Sequence, residues 1–249
     1  MLFKQLFEPI SSTYTYLLGC KETGQAILID PVLPAWQRDL AELSALNLKL
    51  AYTLDTHIHA DHLTAAARLK RETGSRIANP ALDRLPCTDT PIEEGTPFTF
   101  GSIALEPLHT PGHTDNHFAY LLDGRVFTGD ALLIDACGRT DFQNGDSEAL
   151  YHSITDKLFT LPDDTLVYPA HDYDGRRVSN IGQEMTRNPY CGGGKTLEEF
   201  VEIMGQLKLA YPKFIDFAVP GNRQCGVCPE GIPEDLMQYC DDVVQGVPG

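Results

Sequence analysis

Seven consecutive residues, Thr56, His57, Ile58, His59, Ala60, Asp61 and His62, restrict this chain more than any other stretch. Four potential metal ligands fall within six of them, directly after the apolar run Leu48–Leu54 and directly before Leu63–Leu69. That order reads as a strand, a turn and a helix start, so a rigid strand delivers the ligands to a pocket mouth. His57 and His59 are two apart and point the same way on extended chain, whereas Asp61 and His62 turn into the helix. Chance clustering on a polar loop is the plain alternative. A His-x-His-x-Asp-His run backed by further His and Asp downstream is a metal signal. The formal net charge of −16 argues against nucleic acid or an anionic membrane as partner. It leaves room for an anionic small substrate, because a metal and a few arginines dominate one pocket locally.

The flanking text is a mixed α/β chain. Thr13–Gly19 and Ala26–Val32 form a hairpin about the Lys21–Gly24 turn, and Ala35–Leu46 carries helical spacing. Strand Leu48–Leu54 follows, then the histidine turn and a helix from Leu63 to about Thr73, closed by Gly74. Short strands are expected at Phe98–Phe100, Ile103–Leu108, His117–Leu122, Val126–Thr128 and Leu166–Tyr168, with a helix from Ser147 to about Phe159. The tail is helical in outline at Ile181–Asn188, Thr196–Leu209 and Pro233–Val244. Two sheets packed face to face with helices outside satisfy that order. At 249 residues and 42% hydrophobic content the chain suits one large domain or a domain with an appendage. No apolar run is long enough to cross a membrane. The N-terminus enters strand-like sequence at once, leaving no room for a leader, so a cytoplasmic location is expected. Seven scattered cysteines, an odd number, suggest reduced thiols, and Cys225 and Cys228 read as a loop with two free thiols.

Further strands end in ligand-type residues: His113 lies beyond Ile103–Leu108, Asp130 follows Val126–Thr128, and His171 follows Leu166–Tyr168. Asp30 closes Ala26–Ile29, where it is expected to cap a turn and not to act in catalysis. Each alone reads as structural; together, at successive strand ends, they read as a metal site.

These loops resemble the five ligand loops of the metallo-β-lactamase superfamily, an αββα sandwich of two mixed sheets flanked by helices, over about residues 3–175. The resemblance implies a catalytic core over 1–175 and a helical C-terminal extension of the same domain over 176–249. Within the superfamily, Gly138–Gly145, Leu150–Ser153, Tyr168–Tyr173, Asn188-Pro189, Glu199–Gly205 and Ile215–Asn222 resemble the persulfide dioxygenases. Pro189–Lys195 and the tail from Cys228 depart from that family. The likeness implies oxidation of glutathione persulfide by O2 to sulfite and glutathione, in sulfide detoxification, with one Fe(II) per chain. His57, His113 and Asp130 are then the ligands, and His59, Asp61, His62, His171 and Asp172 surround them without binding iron. Arg139, Tyr173 and Cys225 are implied at the glutathione substrate, and a homodimer is expected. The competing class is a dinuclear zinc thioester hydrolase of the glyoxalase II type, in which His59, Asp61, His62 and His171 hold a second metal. A sulfur carrier using Cys225 and Cys228 is a third class, which would not need the metal set.

Overall fold

Alternating apolar residues in Leu2–Glu8 and Thr13–Gly19 pair these segments as strands β1 and β2, in register from Leu2 opposite Gly19 to Glu8 opposite Thr13. In this computed structural model, which describes residues 1–232 and 234–240, they open a six-stranded sheet in the order β1-β2-β3-β4-β5-β6. The other members are β3 (Gln25–Ile29), β4 (Lys49–Leu54), β5 (Arg76–Pro80) and β6 (Thr90–Ile92). β2 and β3 are antiparallel, and β3, β4 and β5 are parallel. Helices α1 (Trp36–Ala45) and α2 (Ala66–Thr73) make the crossovers that parallel pairing requires. Leu17, Leu28 and Leu50 from the strands meet Leu43 and Leu69 from the two helices in one apolar cluster.

The second sheet has the order β12-β11-β10-β9-β8-β7. It is built from β7 (Phe98–Phe100), β8 (Ile103–His109), β9 (Phe118–Leu122), β10 (Arg125–Gly129), β11 (Leu166–Pro169) and β12 (Ser179–Asn180). β8, β9 and β10 form an antiparallel meander, and β11 runs parallel to β10 after helix α3 (Ser147–His152). Val126, Leu150, Ile154, Val167, Ile181 and Phe200 form its buried core. Helix α4 (Ile181–Arg187) starts on the Asn180 side chain, and α5 (Leu197–Gln206) starts on a reciprocal Thr196–Glu199 capping box. Two shorter helices follow, α6 (Ile215–Asn222) and α7 (Glu234–Met237). No helix among the described residues is long and apolar enough to cross a membrane.

The chain divides into two compact units. The first contains Met1–Pro91, Phe100–Ile103 and the residues from Tyr211 on; the second contains Ile92–Thr99 and Ala104–Ala210. Residues 176–210 therefore stay with the second sheet, while α6 and α7 belong to the first unit.

Several elements differ from the sequence reading. The α2 helix begins at Ala66 because the residues before it are tied to the Pro31–Leu33 segment: Leu33 N–H donates to the Leu63 carbonyl at 2.8 Å and Ala65 N–H to the Pro31 carbonyl at 2.7 Å. The single helix expected from Ser147 ends at His152 and continues as a wider π turn over Ser153–Lys157 and a tight turn over Leu158–Thr160. β5, β6 and α6 escape sequence reading, since Pro80, Pro91 and Pro220 interrupt their patterns. Beyond α7, the expected Pro233–Val244 helix lies outside the described residues from 241 onward, as does Pro233.

Cys20, Cys137 and Cys191 are free thiols, as expected, but the other four cysteines are paired. Cys87 is bonded to Cys225, with Cα atoms 6.1 Å apart, and Cys228 to Cys240, with Cα atoms 5.8 Å apart. The pairs are 138 and 12 residues apart in sequence, so spacing alone could not reveal them. Cys225 and Cys228 pair with other partners and not with each other.

Candidate metal ligands in the two units

In the first unit the ligand turn is fixed by a relay that starts at Asp30. This residue follows β3 with φ of 49°, a left-handed backbone that aims its carboxylate at the end of β4. Asp30 accepts hydrogen bonds from the Thr56 backbone N–H at 2.7 Å and from Thr56 Oγ1 at 3.0 Å. With its hydroxyl proton given to Asp30, Thr56 Oγ1 accepts from Nδ1 of His57 at 2.9 Å. The lone pair of His57 is thereby placed on Nε2, the form a metal needs.

A third contact of the Asp30 carboxylate is to His59, whose Nε2 is 3.1 Å from Asp30 Oδ1. His59 is fully buried, and its Nδ1 has no hydrogen bond among the described residues. Burial disfavours its cation, but the carboxylates of Asp30, Asp61 and Asp55 outweigh that and raise its pKa to about 9. Burial pushes the neighbouring Asp55 carboxyl up to about 7. Asp61 and His62 meet through Oδ2 and Nδ1 at 2.8 Å, with Thr13 Oγ1 donating to the same carboxylate at 3.1 Å. Ligand atoms of His59, Asp61 and His62 all lie within 4.8 Å of one another.

Asn222, at the end of α6, closes the turn from behind. Its amide nitrogen donates to the carbonyls of His59 at 2.9 Å and His62 at 2.8 Å, and its oxygen accepts from Thr64 N–H at 2.9 Å. Asn222 falls within the sequence text shared with the dioxygenases, but its role is visible only in three dimensions.

In the second unit His113, Asp130 and His171 come together. His113 donates from Nδ1 to the Arg139 carbonyl at 2.7 Å, so its Nε2 carries the lone pair, 3.4 Å from Asp130 Oδ2. His171 Nε2 lies 3.5 Å from Asp130 Oδ1. The β10–β11 pairing slips by one residue between Phe127 and Gly129, and Gly129 at φ of 51° turns the chain into Asp130. The Asp130 backbone is then gripped from two sides. Its N–H donates to Nε2 of the buried His117 at 3.1 Å, and His117 Nδ1 donates to Thr110 Oγ1 at 2.9 Å. Its carbonyl accepts from Gly138 N–H at 2.8 Å. A Cβ at Gly138 would stand 2.2 Å from that carbonyl oxygen and 2.9 Å from His113 Nδ1. Asp30 as a relay, His117 and Gly138 are the contributors that sequence reading missed.

The remaining expected residues have other principal partners. Asp172 is buried and bound to Arg176, at 3.0 Å from Nε and 2.7 Å from Nη2, so it shapes the following loop. Arg139 makes a two-pronged ion pair with Asp141 at 2.6 and 2.7 Å, donates to the Ala210 carbonyl at 2.8 Å and covers the Phe142 ring at 4.7 Å. Its backbone, through His113, is closer to the ligand set than its guanidinium chemistry. Tyr173 is 76% exposed and stacked on His171 with ring centres 6.0 Å apart. Cys225 is fully buried and disulfide-bonded, which corrects the expectation of a thiol lining the substrate pocket.

The donor set fits a divalent ion: His57 and His113 each commit Nδ1 to an oxygen and offer Nε2, and the Asp130 carboxylate lies between His113 and His171. A family model described as the metallo-β-lactamase superfamily matches residues 10–171. The chain belongs to that superfamily. It is 48% identical to the human protein named persulfide dioxygenase ETHE1, mitochondrial, over 91% of this chain and 89% of that one. The crystal structure of ETHE1 from Myxococcus xanthus matches it with a TM-score of 0.89 at 50% identity, covering 91% of this chain and 100% of that one. A cytoplasmic hydroxyacylglutathione hydrolase from Arabidopsis thaliana is 33% identical over 74% of this chain and 71% of that protein. Within the superfamily, these likenesses place the chain with the persulfide dioxygenases.

Proposed function

We propose that the chain oxidises glutathione persulfide with O2 to sulfite and glutathione, using one Fe(II) bound by His57, His113 and Asp130. The observation that carries this reading is the matched state of the two histidines. Each has Nδ1 committed to an oxygen, Thr56 Oγ1 in one case and the Arg139 carbonyl in the other, and each offers Nε2. Two neutral imidazoles and one carboxylate are the donors of a facial triad, which leaves positions open for both reactants. When bound, Fe(II) supplies the redox chemistry that brings an anionic persulfide and O2 together.

The protein's own residues do the positioning. Asp30 and Thr56 hold the His57 ring, Arg139 holds the His113 ring through its carbonyl, and His117 and Gly138 hold the Asp130 backbone. Net positive charge left by this ligand set favours the persulfide anion over a neutral thiol. Tyr173 offers an exposed hydroxyl beside His171, and we assign it to the glutathione part of the substrate. Arg139 joins it only by exchanging its Asp141 partner for a substrate carboxylate.

The test is metal analysis on protein purified without oxygen, paired with oxygen uptake on glutathione persulfide. About one iron per chain and rapid uptake are expected. Two zinc ions per chain, with hydrolysis of lactoylglutathione and no uptake, would establish the hydrolase instead and make His59, Asp61, His62 and His171 ligands. A homodimer is part of the same proposal, by family resemblance, and light scattering checks it.

A further inference from the structure

Cys225 is bonded to Cys87 across 138 residues of chain. It sits on the turn that leaves α6, three residues beyond Asn222, and that turn is stitched to the ligand turn along its whole length. Asn222 grips the His59 and His62 carbonyls and the Thr64 N–H. Cys225 itself accepts from Ala67 N–H at 2.9 Å and donates its own N–H to the Asn222 carbonyl at 2.9 Å. Gly226 approaches so closely that a Cβ there would stand 1.9 Å from the Thr64 carbonyl oxygen. Cys225 holds φ of 55°, a conformation that costs a residue with a side chain and persists only where surroundings impose it. The bridge to Cys87 is one of those impositions, and the sulfur is packed against Ala66 and Ile77.

We propose that the Cys87–Cys225 disulfide is a redox lock on the metal-binding turn: closed, it seats Asn222 on His59 and His62; opened by a low-molecular-weight thiol, it releases that clasp. This rests on the reading of the turn as part of the metal site. The chemistry is ordinary exchange. A thiolate such as that of glutathione attacks Sγ of Cys87, which is partly exposed whereas Cys225 is not. The Cys87–Cys225 bond breaks, and Cys225 leaves as a thiolate that takes up a proton. A second thiolate attacks the incoming sulfur of the mixed disulfide, releasing Cys87 as a thiol and a small-molecule disulfide. Two external thiols are oxidised by two electrons and the protein disulfide is reduced by two. Glutathione, a product in the proposed reaction, is a reductant of the required class. The lock therefore couples metal retention to the thiol pool around the enzyme.

The experiment uses the Fe(II)-loaded protein carrying Cys228→Ser and Cys240→Ser, so that one disulfide remains. It is poised in glutathione buffers of increasing reducing strength, and alkylation with mass analysis counts the Cys87 and Cys225 thiols. Release of iron to an excess of chelator is timed on the same samples. Reduction is expected to speed release about tenfold, the size of effect seen when groups supporting a metal ligand are lost. Asn222→Ala should release iron fast in both redox states, erasing the difference, which a merely stabilising cross-link would not do. Unlocked wild-type protein and Cys87→Ser should behave alike; if Cys87→Ser does not fold, the reduced wild type carries the comparison. Equal release from the oxidised and reduced forms, or alkylation of Cys87 and Cys225 before any reductant is added, overturns the lock. A protein that takes up no iron at all overturns the functional reading, and the lock with it.

Discussion

The two units hold their ligand residues by opposite means. In the first, side chains do the holding: Asp30 grips Thr56, Thr56 fixes His57, and Asn222 clasps the carbonyls behind His59 and His62. In the second, most of the holding comes from main chain: the Arg139 carbonyl fixes His113, and the Gly138 N–H fixes the Asp130 carbonyl. A site held by side chains loses a bond and strands a buried partner whenever one of them is replaced. One held by backbone survives most substitutions but cannot admit a bulkier residue where two segments touch. The units therefore have different weak points, and substitutions can separate them.

Gly138→Ala is the strongest test. The new Cβ collides with a carbonyl and a histidine ring, neither of which can yield without moving Asp130 or His113. We expect about a 100-fold loss of iron affinity, read by equilibrium competition with a chelator. Normal affinity would show that the backbone grip in the second unit is loose. Thr56→Val keeps the shape of the side chain but removes the acceptor for His57 and a donor to Asp30. About tenfold weaker iron binding is expected from the same assay, and full retention would break the relay.

Arg139→Ala should lie below both. The carbonyl that holds His113 is unchanged, so iron content should stay at the wild-type level. KM for glutathione persulfide should rise while kcat changes little, if the guanidinium meets the substrate. Unchanged KM would leave Arg139 as a structural partner of Asp141 alone.

Asp39→Asn should not touch iron at all and serves as the zero of the series. Burial in α1 raises the Asp39 carboxyl to about 6, against the pull of Arg38. Its folded pKa lies above the unfolded value, so the folded state holds the proton more tightly. Stability from this group is full below about pH 4 and is lost as pH rises through about 6, by about 3 kcal/mol in total. Asp39→Asn should flatten the melting temperature across that window, and an unchanged slope would exclude Asp39 as its source.

Much of this was legible before the structure. Strands announce themselves by alternation, and His57, His59, Asp61, His62, His113, Asp130 and His171 all stand where a strand runs out. Metal chemistry demands particular side chains in a row, and sequence records side chains directly. The holding apparatus is less visible. Asp30 is 26 residues from Thr56, and Asn222 is 163 from His59; Asn and Asp are common at turns for reasons unrelated to metals. Gly138 acts through the absence of a side chain, and His117 looks like any buried histidine. The disulfides are hidden from sequence because pairing depends on Cα separation in space and not on spacing along the chain. The charge of Arg139 stands out in sequence, whereas the contact its carbonyl makes to His113 does not.

The Asn222 clasp also has a consequence for the order in which the molecule is made. His59 and His62 leave the ribosome 163 and 160 residues before Asn222. At about 5–20 residues per second, that is a wait of about 8–30 s during which the ligand turn exists without its clasp. The turn reaches its held form only when the α6 segment emerges and Asn222 can donate to both carbonyls.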